Sequence, residues 1–582
     1  MNLPRLSPSE TRRLITDTFL GYDHRAKLPE GAFYDMENLS GTQYPLLATR
    51  PRRGMLRRLT NPGGLLAKDG LLTVEDGTLC LDGTATPVTD LAPGEKQLVS
   101  MGAYVLIFPD KVYYNTAVPT DYGPIEADWQ YRGTVRMSLC DRDGEPWEDP
   151  TVSDDEPENP RNAALWLDTS GGGRVLRQYS EAQCCWVELE TAYTRLDFET
   201  RGELQDRFSR YDGVTVEGTG LAELDGEKLL YAVGGREEQD FLVLVGLLEG
   251  AGTLTDASLR IRRRLPEMDF VCQCQNRLWG CRWGSDESGR AVNEIYASAL
   301  GDFKNFHQYL GLSTDSWTAS VGSDGPFTGA ISFLGHPCFF KEDRVHTVTV
   351  SPTGAHRLDE TVCRGVQRGS HQSLCVVGET LYYKARGAVC AWQGGFPQPV
   401  SEALGELPYA KAVGGTVDGR YWLSMEQGGD WSLFCYDPAL GLWHREDKLH
   451  ALFFAALEDE LYTVDADSGA LLALKGSQGQ PEAELHWMAE TGILRYAGPD
   501  RQYLSHFDLT LQAEEGSLLE VWLRYDSRGD WERVAQVEPS GSGTLTLPVQ
   551  PRRCDHLQVR LCGRGEMRLY AWSRVLETGS DR

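Results

Sequence analysis

The sequence predicts an all-β protein built around a β-propeller of about seven blades, and three observations carry that prediction. Strand signals dominate: short alternating or apolar runs are separated by Gly, Asp, Asn and Pro. Stretches with a 3.6-residue apolar period are nearly absent, and the best helical candidate is a short piece from Ser7 to Phe19. One plan then recurs along the chain, an apolar strand, a tight polar turn and a second strand rich in Tyr, Trp or Phe.

The recurring units begin with "GGLLAKDGLLTVEDGTLCLDG" at Gly63, "QLVSMGAYVLIFPDKVYYN" at Gln97 and "FVCQCQNRLWGCRWG" at Phe270. They continue with "GAISFLGHPCFFKEDRVHTVTV" at Gly329, "HQSLCVVGETLYYKARGAVCAWQGG" at His371, "AVGGTVDGRYWLSM" at Ala412 and "FAALEDELYTVDADSGALLAL" at Phe454. The last four are spaced by about 40 residues, the length of a four-stranded propeller blade. In "YDPALGLW", Asp437, Pro438 and Gly441 make a reversal, and Tyr436 and Trp443 are placed to pack between neighbouring sheets.

At 582 residues the chain exceeds one core and divides naturally. The expected parts are an N-terminal strap (1–54), a first propeller part (55–117), an inserted acidic β-domain (118–266), a second propeller part (267–475) and a C-terminal β-sandwich (476–582). The insert is expected because two blade units precede residue 117 and five follow residue 266, and loop insertions cost little. It holds 16 Lys and Arg against 30 Asp and Glu, a balance of −14, half of the chain's net charge of −28. The sandwich is expected because the blade rhythm stops after Leu474, and "SHFDLTLQA", "LLEVWLRYD", "TLTLPV", "HLQVRLCG" and "EMRLYAWSRVLE" follow a linker-like "KGSQGQPEAE".

Composition narrows function by exclusion. A strongly acidic chain does not wrap nucleic acid, which needs clustered Lys and Arg, so no sequence-specific nucleic-acid partner is expected. The longest strongly apolar run, "FLVLVGLL" from Phe241, is too short to cross a bilayer, so no membrane partner is expected either. The charged start "MNLPRLSPSETRRLITDTF" lacks the apolar centre of a secretion signal, which points to synthesis in the cytoplasm with reduced thiols.

Motif chemistry is thin. Cys272, Cys274 and Cys281 lack paired C-x-x-C halves, and buried thiols on strands explain them better than zinc. "DADSG" (Asp465 to Gly469) lacks a full calcium-loop register and reads better as a hairpin turn. His336, His346 and His371 read as polar tips on blade strands or loops. "STDSWTASVGSDGPFTG" from Ser313 holds the residue types of a sialidase turn in the wrong order, and most sugar hydrolysis needs two carboxylates that 85 acids leave unchosen. No P-loop, G-x-S-x-G, H-E-x-x-H or G-x-G-x-x-G string occurs. The chain is therefore expected to have no catalytic, metal or cofactor site.

Four long strings carry a resemblance: "FLGYDHRAKLPEGAFYDMENLSGTQYPLLATRPRRG", "QNRLWGCRWG…NEIYASALGDFKNF", "VGSDGPFTGAISFLGHPCFFKEDRVHTV" and "RRCDHLQVRLCGRGEMRLYAWSRVLETGSD". They resemble structural proteins encoded in phages and prophages of gut Firmicutes. More distantly they resemble the propeller-bearing packaged-DNA stabilisation (tail accessory) proteins of short-tailed phages. There an opening of the "G-E-F-Y-D-M-x-N-L" kind precedes a "Y-P-x-L-x-x-R" segment, and the propeller begins soon afterwards. The resemblance covers the N-terminal segment, the blades and the C-terminal part, not the insert.

It implies a non-enzymatic structural component of a tailed-phage particle, at the head–tail junction or in the tail, located in the virion. Its partners would be other virion proteins (portal, adaptor or tail proteins), and it would form a homo-oligomeric ring. The alternatives are a tail or surface protein that binds a host glycan or receptor, and a propeller glycosidase. Residues 1–60 hold 10 Lys and Arg against 6 Asp and Glu, with apolar residues interspersed. Arg50, Arg52, Arg53, Arg57 and Arg58, with Tyr44 and Leu46, are therefore the candidate interface to a neighbouring subunit or virion protein. A strap that merely closes its own propeller is the competing reading.

Overall fold

The computed structural model describes residues 11–234, 239–286, 288–351, 354–406, 408–495 and 502–578. The all-β reading holds, with three-residue 3-10 turns as the helical pieces among these residues.

Seven small antiparallel sheets stand in a ring. Six are built from consecutive strands, beginning at Pro62–Ala67, Gln97–Met101, Phe270–Cys274, Gly329–Phe333, Cys375–Val377 and Lys411–Val417. The seventh uses Ala451–Leu457, Glu460–Asp465 and Ala470–Ala473, and its fourth strand is Gly54–Arg58 from the N-terminal side. A strand from one chain end thus completes a blade made by distant sequence, and the last blade packs back on the first.

The period of two explains why the sheets stack radially, because adjacent strand residues face opposite neighbours. Phe339 packs toward the third blade and Phe340 toward the fifth; Tyr421 and Trp422 split likewise between the fifth and seventh. A separate apolar layer lies in each gap, and the layer joining Tyr462 and Val464 to Leu65 and Leu71 closes the ring.

Three sequence expectations change. The fourth strand of the second blade, Tyr122–Pro124, lies beyond the expected boundary at 117, so the insert proper starts with Ala127–Cys140. The helix expected from Ser7 to Phe19 is replaced by the strand Thr11–Thr16, which pairs with Met567–Thr578; Ser7 to Glu10 lie outside the described residues. The strap expected over 1–54, packed on its own propeller or on a neighbour, instead supplies strands that complete the C-terminal sandwich. Leu39–Ser40 and Leu47–Thr49 join the sheet of Met567–Thr578, Gln502–Ala513 and Gly541–Pro548. Phe33–Glu37 joins the facing sheet through His486–Thr491.

Residues 19–24 run between that sandwich and the outer strand of the sixth blade. Tyr22 N–H donates to the Trp443 carbonyl at 2.6 Å, and Phe33 N–H to Gly21 at 2.8 Å. A Cβ on Gly21, at φ +70°, would stand 2.3 Å from the Trp443 oxygen, so the chain approaches this closely only with glycine. Phe19, Phe33 and Phe507 surround Trp572, and the apolar cluster they belong to runs on without a break through Tyr22 and Trp443 into the fifth and sixth blades.

The insert is organised differently. A seven-stranded sheet, centred on the paired strands Ala127–Cys140 and Gly252–Arg263, and a four-stranded sheet between Thr151 and Glu188 enclose a core of their own. Its ends are pinned to the ring by two cations. Lys111 Nζ donates to Glu126 at 2.8 Å and Glu267 at 2.7 Å, and the buried Arg263 donates to the carbonyls of Ile125 and Arg207 and pairs with Asp212.

Candidate functional site

Three places could hold function: the arginine-rich segment, the axial channel and the cleft at the root of the insert. The arginines divide by burial. Arg50 and Arg53 are each 3% exposed and sit between the seventh blade, the sixth blade and the sandwich. Arg50 donates to Asn38 Oδ1 at 2.7 Å and to Glu482 at 2.7 Å; Arg53 donates to Asp447 at 2.6 Å and Glu446 at 3.0 Å. Burial pushes the Asp447 carboxyl up, but Arg53 and Arg50 outweigh it and hold Asp447 below the usual carboxylate range. Burial likewise opposes, and Arg50 overcomes, the same change at Glu482.

The expectation that Arg50 and Arg53 meet a neighbouring subunit is therefore corrected: their charges are neutralised inside this chain. Arg57, half-buried, bonds Glu75 and Thr73 of the first blade. Arg52 bridges to Glu514 at 2.6 Å near the surface, and Arg58 is exposed. Tyr44 is exposed and Leu46 half-buried.

The axial channel has a cavity of about 430 Å³ walled by the first strands, with Leu65, Val99, Val271, Val376 and Phe454 among its lining. Glu95, from the connection between the first two blades, accepts bonds from His371 Nε2 at 2.8 Å and Gln372 Nε2 at 2.6 Å, both from the connection into the fifth blade. In a ring of seven, the second and fifth blades are three steps apart, so this bridge spans the channel mouth. The His371 bond is the main cause that holds Glu95 below the ordinary carboxylate range, against burial that raises it. Glu95 is also the single carboxylate among the lining residues. Most glycoside hydrolysis needs two. His371, read from sequence as a polar tip, is thus half of a cross-channel bridge, and Glu95 escaped notice because the pair is formed across 276 residues.

The root cleft encloses about 650 Å³ and is densely charged. Most of its cations are paired: Lys111 with Glu126 and Glu267, Arg282 with Asp269, Arg262 with Glu217, Arg263 with Asp212 and Arg290 with Glu294. Such a lining holds the insert in place more readily than it attracts a charged ligand.

The remaining motifs are structural here. Cys272 and Cys281 are buried strand thiols, pushed well above the normal thiol range by burial. Among the described residues no group of three or more His, Cys, Asp and Glu is arranged to hold a metal ion. Asp465 accepts from the Asp467 and Ser468 amides, which makes "DADSG" a capped hairpin turn. His346 is buried, and burial, only partly offset by Glu360, lowers its basicity; its Nε2 lies 3.1 Å from Ser323 and 2.9 Å from Glu360. His336 opens the second strand of the fourth blade.

No family model matches the chain, and no curated protein matches it. Among solved structures it is similar to an exo-β-1,3-galactanase from Phanerochaete chrysosporium, at 10% identity over 52% of this chain and 95% of that one, with a TM-score of 0.22. It is also similar to the endosialidase of phage phi92, at 9% identity over 82% and 77%, with a TM-score of 0.25. BamB from Moraxella catarrhalis shares 11% identity over 60% and 97%, with a TM-score of 0.20. Likeness at this level carries no argument about function.

Proposed function

We propose that the chain is a non-enzymatic structural component of a tailed-phage particle, at the head–tail junction or in the tail, acting through protein–protein interfaces. One observation supports this above the others: the N-terminal segment and the sandwich share one continuous apolar core with the gap between the fifth and sixth blades, reinforced by the buried Arg50 and Arg53 pairs. Such a body suits a rigid spacer between other proteins, whereas the lining of the channel cavity offers one carboxylate, already bonded, where most sugar hydrolysis needs two. The phage context comes from the sequence resemblance. Rotational symmetry of necks and tails makes a ring of identical subunits the expected assembly.

The test uses the phage that encodes the chain. Particles should contain the protein, deletion of its gene should stop production of infectious particles, and the purified protein should release no sugar from a glycan panel. Infectious particles that lack the chain would overturn the reading. So would hydrolysis that disappears on Glu95→Gln.

A further inference from the structure

Chain topology sorts the loops of the ring onto two faces. In each blade the turn between strands one and two lies on the same face as the loop between strands three and four, and the insert departs from the opposite face, where one blade leads to the next. Large exposed apolar side chains collect on the first of these faces. Leu334 is the turn of the fourth blade, Leu300 and Leu312 stand on the third-blade loop, and Phe396 tips the fifth-blade loop; they are 58%, 48%, 58% and 76% exposed.

Three of them form one surface. Gly301 N–H donates to the Asn276 carbonyl at 2.8 Å, and Gln275 Nε2 donates to the Gly335 carbonyl at 2.9 Å, so Leu300 and Leu334 flank neighbouring turns. Arg277, donating to the Ser313 carbonyl at 2.7 Å, draws Leu312 against the same place. Phe396 stands on the same face, on the three-to-four loop of the fifth blade. Clustered exposed apolar residues of this kind mark interaction sites.

The other half of the face is acidic. The turns of the sixth, seventh and first blades present Asp418, Glu458, Asp459, Asp69 and Asp82. The nearby cations Lys68 and Lys475 are held by Asp69 and Asp418. The face is thus richer in exposed apolar side chains over blades three to five, where Glu379 is one exposed acid, and richer in acids over blades six, seven and one, where Leu440 is one exposed apolar residue.

We infer that this face docks a different protein, whose contact surface presents apolar side chains next to a cluster of Lys or Arg. A second copy of this chain is the poorer occupant: it carries a net charge of −28, and its acidic half-face would meet its equal or apolar surface. The inference rests on the structural reading above, and deepens it by naming the surface and the charge of the partner.

Two variants separate the halves of the face: Leu300→Ser with Leu334→Ser and Phe396→Ser, and Asp418→Lys with Glu458→Lys and Asp459→Lys. Val362→Ser, exposed at the opposite end of its blade, is the control. In solution the probe is a synthetic helical peptide of alternating Leu and Lys faces, with a Leu and Glu peptide for comparison. The Lys peptide should bind the native protein in a salt-sensitive way, each face variant should weaken it at least about tenfold, and the control should bind as the native chain does. In particles, both face variants should be incorporated poorly while keeping native melting temperatures. Equal binding of the Lys peptide by all variants overturns the inference whatever the particles show. Sedimentation that reveals a native dimer, lost in the Leu300, Leu334 and Phe396 variant, overturns it in favour of self-association. Absence of the native chain from particles, with the peptide result intact, counts against the phage reading alone.

Discussion

The two β appendages of the propeller are attached by opposite means. The sandwich has no core of its own: its aromatics continue into those of the fifth and sixth blades, and four of its strands come from the other end of the chain. The insert has a core of its own and meets the ring at its two ends and where Tyr211 and Gly213 lie against Asn305 and His307 of the third-blade loop. Shared apolar burial makes parts unfold together, while polar tethering lets them unfold apart. The propeller and sandwich should therefore behave as one cooperative body, and the insert as a second.

Excision gives the largest contrast. Ala127 and Arg263 are paired across neighbouring strands, so the ends of the insert already meet and a short Gly linker can replace what lies between. The shortened protein should melt within about 2–4 °C of the native propeller transition, the shift that about 1 kcal/mol produces in a domain of ordinary size. Removal of residues 11–58 should instead leave no cooperative transition for either propeller or sandwich, because it takes the closing strand Gly54–Arg58 and the shared core at once. Calorimetry on both truncations decides this.

Single core substitutions sharpen the comparison. Trp443 is 1% exposed, its ring lies 4.7 Å from that of Tyr436, and its Nε1 donates to the Val400 carbonyl at 2.8 Å. Trp443→Ala should cost about 3–5 kcal/mol and lower the propeller and sandwich signals together. Leu244→Ala, in the insert core, should cost about 2–5 kcal/mol and move only the insert transition. Hydrogen exchange resolved along the chain would show which amides follow each variant.

Acid should act on one body before the other. His444 is buried against Gly41 and Gly21, with Arg420 and Asp437 as its charged neighbours. Burial, helped by Arg420, lowers its pKa to about 4. The unfolded chain takes up the proton more readily than the folded one, so His444 leaves stability intact above pH 6.5 and removes it as pH falls from about 6.5 to about 4. The loss approaches about 3 kcal/mol at the lower end. Residues 118–266 contain no histidine, so the insert lacks this window. Below it, Asp447 and Glu482, whose pKa values are lowered, add a further loss as they protonate. Urea titrations from pH 7.5 to 4 should show the propeller midpoint falling while the insert midpoint holds, and His444→Gln should flatten the fall.

What was legible in the sequence follows the range of the interactions. Blade hairpins are local: Phe339 and Phe340, or Tyr421 and Trp422, announce a strand with two buried faces within a few residues of a Gly or Asp turn. The fourth strand of the seventh blade is not local, and "GMLRR" has too few apolar residues to advertise itself. Asn38 donates to the His486 carbonyl across 448 positions, and no periodicity records such a partner. The charges of Thr11–Thr16 suit a helix as well as an exposed edge strand, so the residues alone do not separate the two. In sequence the arginines form one cluster, and only the fold divides them, since burial depends on the acids of the sixth blade and of the 482 region brought to them.

The smallest expected effect tests that division of the arginines. Arg53→Ala would leave the buried Glu446 without its cation and Asp447 with only Arg50, at 3.7 Å, a change that costs about 3–5 kcal/mol. Arg52 and Arg58 stand at the surface, and the Arg52 partners Glu514 and Glu566 are 50% and 57% exposed. Water screens such pairs to about 0–1 kcal/mol, so Arg52→Ser with Arg58→Ser should scarcely move the melting temperature. A variant that also altered Arg53 would confuse unfolding with lost contact, whereas this pair isolates the exposed part of the segment. If the paired variant melts normally yet enters particles poorly, Arg52 and Arg58 contact a neighbour there. If it enters particles normally, the segment serves only to join propeller and sandwich. A fall in melting temperature as large as that of Arg53→Ala would show that burial does not separate these arginines after all.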